Sequence, residues 1–161
     1  MFTRLHFAFS NSYAEVIQQG VQSRAPEIFL RGSLGIPRRD MPQIVKQDRP
    51  ALLKFLELSY RVAQMRVSPF DLHPTQNELI TEKVLGAKKR LDGGAWDRPI
   101  FVSKEGYILD GHHIWAAQVL NDHPVDVWKV DASISDLLKK AHAFLHRSSL
   151  AYMSWVGSKT W

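Results

Sequence analysis

The chain has 161 residues, 45% of them hydrophobic and 23% charged, proportions that exclude collagen-like, low-complexity and wholly disordered chains. It has no cysteine, which excludes a disulfide framework, a thiolate zinc site and a cysteine nucleophile. The net charge is +5, and the excess lies in residues 1–66, with 10 Lys+Arg against 5 Asp+Glu, whereas residues 67–161 carry 11 of each.

Residues Ala14–Gln22 can form a short helix, and Leu30–Pro42, with two glycines and two prolines, reads as a loop or arm. Asp48 followed by Pro50 is a helix start, because proline in the first turn loses no hydrogen bond. Leu52, Leu53, Leu56, Tyr60 and Ala63 recur at helical spacing, so this helix is expected to run to about Gln64. Val67–Leu72 reads as a short strand stopped by Pro74. Thr75 and Glu78 have capping-box spacing, which predicts a helix from Gln76 to about Leu91.

Two short apolar runs, Pro99–Ser103 and Tyr107–Asp110, flank Lys104-Glu105-Gly106 and predict a hairpin. A helix is expected over Ile114–Leu120 and a strand over Val125–Val130. Ser133 and Asp136 form a second possible capping box ahead of a stripe at Leu137, Leu138, Ala141, Phe144 and Leu145. Residues 148–161 hold Tyr152, Trp155 and Trp161 with little periodicity and read as a tail. The order of elements is that of a small mixed α/β domain. The division expected is a basic arm and helix over 1–66, the domain over 67–147 and the aromatic tail over 148–161. No apolar run approaches the ~20 residues that cross a bilayer, and Arg4, His6 and Ser10 break up the start. The expectation is a cytoplasmic protein without a membrane partner.

The chemistry concentrates in Asp110-Gly111-His112-His113, where a strand passes through a tight turn into a helix. A helix start offers unpaired N–H groups and partial positive charge, and Gly111 lets an anion approach the backbone. His112 and His113 can donate to a phosphate, and Asp110 can hold Mg²⁺ or position a hydroxyl. The same letters also suit a simple N-cap with two satisfied histidines. Glu78 is either a capping residue or a base. Lys88, Lys89 and Arg90 either end a helix favourably against its dipole or contact phosphate. Arg98 either forks onto a ligand phosphate or pairs with Asp97. Arg38 and Arg39 in the basic arm are candidates for nucleic acid or an acidic protein.

The run Leu72-His-Pro-Thr-Gln76, the basic helix ending Lys88-Lys89-Arg90-Leu91, then Arg98-Pro-Ile-Phe-Val-Ser103, Ile108-Leu-Asp-Gly-His-His113 and Trp115-Ala-Ala117 resembles the ParB/sulfiredoxin superfamily. The resemblance spans roughly residues 67–146. It implies a compact α/β domain, a small mixed sheet flanked by helices, here with a helical N-terminal extension. It also implies that Gly111, His112 and His113 bind phosphate, with the Leu72–Gln76 turn, and so Gln76, across the pocket. ATP or another nucleotide with Mg²⁺ would be the cofactor, and a phage origin fits small versions of this kind. One reading is therefore a Mg²⁺-dependent phosphotransferase or nucleotide hydrolase, with Asp110, His113 and Glu78 catalytic. A second is a DNA- or RNA-binding protein or ParB-like nuclease. The sulfiredoxin branch needs a cysteine that this chain lacks. The kinase-like branch continues its motif with arginine where Ile114 stands and places acids where Thr75-Gln76-Asn77 stand. Those departures suit a third reading, an inactive protein that binds a host or phage partner through the basic arm and aromatic tail.

Overall fold

The computed structural model describes residues 13–95 and 98–157, with side chains to residue 150. In chain order the elements are helix α1 (13–22), β1 (Glu27–Phe29), α2 (Arg49–Glu57), β2 (Val62–Val67), β3 (Glu78–Ile80), α3 (Thr81–Asp92), β4 (Ile100–Val102), β5 (Ile108–Asp110), α4 (His112–Asn121), β6 (Val125–Val130) and α5 (Ile134–Gly157). Four strands form a mixed sheet in the order β2-β6-β4-β5, in which only the β4–β6 pair is parallel. A second, two-stranded sheet joins β1 to β3. This is an α/β fold.

Alternation along each strand sends side chains to opposite faces, and each face has its own core. On one side Ile100, Val102, Ile108, Val125 and Val127 pack with Ile17 of α1, Val84 of α3 and Trp115, Ala116 and Val119 of α4. On the other, Phe101, Leu109 and Val130 pack with Leu52 and Leu56 of α2 and Leu137, Ala141 and Phe144 of α5. Burying each large apolar side chain contributes about 1.5–3 kcal/mol, so both helical layers are held chiefly by these contacts. Trp115 also donates its indole N–H to the Pro69 carbonyl at 2.8 Å.

The hairpin forms as its turn chemistry predicts, with Gly106 at φ 89°. Strand β6 matches Val125–Val130 residue for residue. Elsewhere tertiary pairing overrides the local pattern. The helix expected to reach Gln64 ends at Glu57, and the N–H groups of Ser59 and Tyr60 both donate to Leu56 O. Residues Val62–Val67 then pair along their whole length with β6, a ladder that helical continuation would forfeit. The expected division between residues 66 and 67 thus falls inside β2. Of the strand expected over Val67–Leu72 only Val67 is extended in the sheet, and Pro69–Asp71 forms a 3₁₀ turn capped by Ser68.

The helix expected from Gln76 begins at Thr81, because Glu78–Ile80 pairs with β1. No capping box forms there. Glu78 Oε1 accepts the N–H of Arg38 at 2.7 Å, while the buried Thr75 hydroxyl has no hydrogen-bond partner among the described residues. Helix α4 starts two residues earlier than expected, at His112. Ser133 does cap α5 by accepting from Asp136 N–H at 3.1 Å. That helix continues to Gly157, through much of the stretch expected as an irregular tail. The side chains of Tyr152, Trp155 and Trp161 lie outside the described residues.

Candidate phosphate-binding cleft

Strand β5 ends at Asp110, and Gly111 occupies the N-cap of α4 at φ 106°. A Cβ at this position would lie 2.3 Å from Ile100 Cγ2. Only glycine combines that backbone angle with so close an approach. No side chain caps α4, whose first-turn N–H groups have no acceptor within the helix, and its first residues, His112, His113 and Ile114, line a cleft of about 220 Å³. Arg38, Arg49 and Lys83 line this cleft, and Asp110 is the one acid lining it among the described residues. Three cations and a helix N-terminus against one carboxylate make it electropositive.

Each of the two histidines clasps the segment ahead of α3. His112, 3% exposed, accepts the N–H groups of Thr75 (3.0 Å) and Gln76 (3.3 Å) at Nε2. His113 Nε2 accepts the N–H of Ile80 at 3.0 Å. An accepting Nε2 has no proton, so the geometry assigns each ring as neutral with its proton on Nδ1. Burial, with the neighbouring His113, pushes His112 down to about 3. Burial, then the charges of Arg38 and Lys83, pushes His113 down to about 4. The Nε2 atoms are committed to backbone, which leaves Nδ1–H as the donor each ring can offer a ligand.

Asp110 is likewise engaged. Its Oδ2 receives Arg49 Nη1 at 2.5 Å, and Arg49 Nη2 donates to Pro99 O. The Arg49 guanidinium also lies 5.3 Å from the centre of the Phe101 ring, so an arginine 6% exposed is held by charge, carbonyl and ring. Burial pushes the Asp110 carboxyl up, against the pull of Arg49, Arg98 and the Gly111 N–H.

Of the residues singled out from sequence, the cleft gathers Asp110, Gly111, His112, His113, Gln76 and Arg38. Gln76 Nε2 donates to Glu78 O at 2.8 Å. Glu78 itself is bound to Arg38 N–H and does not line the cleft. Arg98 lies beside it, with Nη1 3.4 Å from Lys46 O and its charge acting on Asp110. The remaining cations are elsewhere. Arg39 is exposed next to Asp40, Lys88 pairs with Asp92 at 2.5 Å, and Lys89 and Arg90 lie in the last turn of α3. Sequence reasoning missed Arg49 and Lys83 as cleft residues. Lys83 carries no signal beyond its place in the first turn of a helix, and Arg49 only its place in the basic half.

Asp110 is the one carboxylate in this donor set that could hold Mg²⁺. Such an ion takes one or two carboxylates together with water and substrate oxygens; Asp110 gives Oδ2 to Arg49, so Oδ1 is the oxygen that would meet it. No group of three His, Asp or Glu side chains converges among the described residues.

No family model matches the chain, and no curated protein matches it. Among solved structures it is similar to a Pnob8-like ParB-N domain, with a TM-score of 0.42 and 16% identity over 52% of this chain and 35% of that one. The match therefore spans about a third of that protein, and at this similarity it transfers no activity.

Proposed function

We propose that the cleft at the start of α4 binds the phosphates of a nucleotide. The observation that carries this reading is the uncapped α4 N-terminus opening among Arg38, Arg49 and Lys83. Phosphate oxygens would accept from the first-turn N–H groups, and the cations would neutralise them. The cleft volume of about 220 Å³ is below the ~300–1,000 Å³ of sites that enclose a whole small molecule. It suits the phosphate end, with the nucleoside lying across its mouth. This matches the ParB/sulfiredoxin-like reading of the DGHH turn.

The geometry favours binding over turnover. Phosphoryl transfer needs positioning and charge stabilisation, which the cleft offers, but Asp110, His113 and Glu78 all have hydrogen-bonding duties within the fold. Among the readings with chemistry, a phosphotransferase or hydrolase would have to draw its base from the substrate or from water. A second reading, contact with a nucleic-acid backbone, is favoured by Arg38, which belongs both to the basic N-terminal part and to the cleft wall. A host or phage protein is a third class of partner for that basic part.

A thermal-shift panel with ATP, ADP, CTP and GTP, with and without Mg²⁺, tests the proposal. A nucleotide at about 100 times its dissociation constant stabilises the fold by about 2.7 kcal/mol, a rise of several degrees. The rise should vanish in Lys83→Gln. No rise with any nucleotide, alongside strongly salt-dependent binding of an oligonucleotide, would favour the second reading.

A further inference from the structure

The two edges of the four-stranded sheet are treated differently. Along β5 the edge is covered: Ile108 N–H donates to His73 O, and His73 N–H donates to Gly106 O. Among the described residues no strand lies outside β2, which pairs only with β6. Its four central residues, Ala63 to Arg66, are exposed, Met65 to 38%.

Monomeric proteins blunt such edges with proline, bulges, outward charge or short strands. Strand β2 has only one of these, the exposed charge of Arg66. It is six residues long, has no proline and pairs with β6 in unbroken register; its single charge, the exposed Arg66, is paired with Asp126 of β6 at 2.9 Å.

The sequence of the strand also decides what can cover it. Pairing with β6 puts Ala63, Met65 and Val67 on one face, opposite Lys129, Val127 and Val125, and Val62, Gln64 and Arg66 on the other. An antiparallel copy related by a two-fold axis normal to the sheet keeps those faces continuous only when paired residues have the same parity. Centred on Met65, this register sets Met65 against Met65, and Ala63 against Val67, on the first face. On the second it sets Gln64 against Arg66. Over residues 63–67 each pair is then apolar with apolar or polar with polar, Val62 falls opposite Ser68 just beyond the strand, and no like charges meet across the axis.

We infer that β2 is the contact strand of a symmetric dimer, pairing antiparallel with β2 of a second copy about Met65 and joining two sheets into one of eight strands. The inference is independent of what the cleft binds. Because each copy carries +5, association gains strength as salt screens the repulsion. An acidic peptide adding to the same edge would show the opposite salt dependence.

Sedimentation equilibrium of the full chain, at several concentrations and salt levels, reads this directly. The wild type should dimerise more tightly at higher salt. Met65→Lys and Met65→Glu each put like charges together at the axis and should weaken the dimer at least tenfold. An equimolar mixture of the two should dimerise again, because opposite charges then meet. Circular dichroism showing native folding in both variants makes that rescue specific to the interface. A wild type that stays monomeric into the millimolar range, variants that dimerise as the wild type does, or dimerisation weakened by salt would overturn the inference.

Discussion

Lowering the pH from 7 to 5 should remove a large share of the stability of this fold, through the two histidines at the start of α4. A histidine whose folded pKa lies below its unfolded value of about 6.5 binds its proton better in the unfolded chain. The stability it contributes is therefore complete above about pH 6.5 and is lost as the pH falls towards the folded values, about 3 for His112 and about 4 for His113. Integrating proton uptake by the unfolded chain from pH 7 to pH 5 gives a loss of about 2 kcal/mol for each histidine, or about 4 kcal/mol together. A domain holds roughly 5–15 kcal/mol in all. Asp110, whose carboxyl is pushed up by burial, acts in the opposite sense as the pH falls. Urea unfolding at pH 7, 6 and 5 measures the loss. His112→Gln keeps a side-chain acceptor that does not titrate, so its loss over the same range should be about 2 kcal/mol smaller than that of the wild type. Equal pH dependence in the two proteins would refute the assignment of His112 as a buried neutral acceptor.

Further outcomes follow from the same contacts. Gly111→Ala meets Ile100 at 2.3 Å and holds alanine at φ 106°, so thermal unfolding should show a loss of about 2–5 kcal/mol. Asp110→Asn leaves the buried Arg49 charge without its carboxylate and should cost about 3 kcal/mol in urea unfolding. Lys88→Ala removes an exposed pair with Asp92 and should change stability by less than about 0.5 kcal/mol. Lys83→Gln should leave the melting temperature of the ligand-free protein within a degree or two while removing the shift produced by nucleotide.

The parts legible in sequence are those fixed by local chemistry. Gly106 announces its turn because the chain needs a positive φ there, and Asp110-Gly111-His112 announces a strand running into a helix. The stripe at Leu137, Ala141 and Phe144 belongs to one face of α5 and reads as such. Strands β2 and β3 were illegible for the opposite reason. Val62–Val67 continues the helical spacing of Leu52 and Leu56, and only its partner β6, some sixty residues on, makes it extended. Glu78–Ile80 is too short to show alternation and is set by β1.

The same division runs through the site. His112 and His113 stand out as letters, but that their Nε2 atoms accept backbone N–H groups depends on where residues 75–80 pass. Arg49 looks like any first-turn arginine until Asp110, distant in sequence, closes on it. Its charge therefore counted towards a basic segment when its position makes it part of a cleft.

The most direct test of the account is an amide NMR titration of the ¹⁵N-labelled protein with the nucleotide that gives the largest thermal shift. Phosphate held by the first turn of α4 should move the N–H signals of His112, His113 and Ile114 most, with a saturating curve that is lost in Lys83→Gln. Saturable shifts centred elsewhere, with those three signals unmoved, would contradict the placement of the phosphate site.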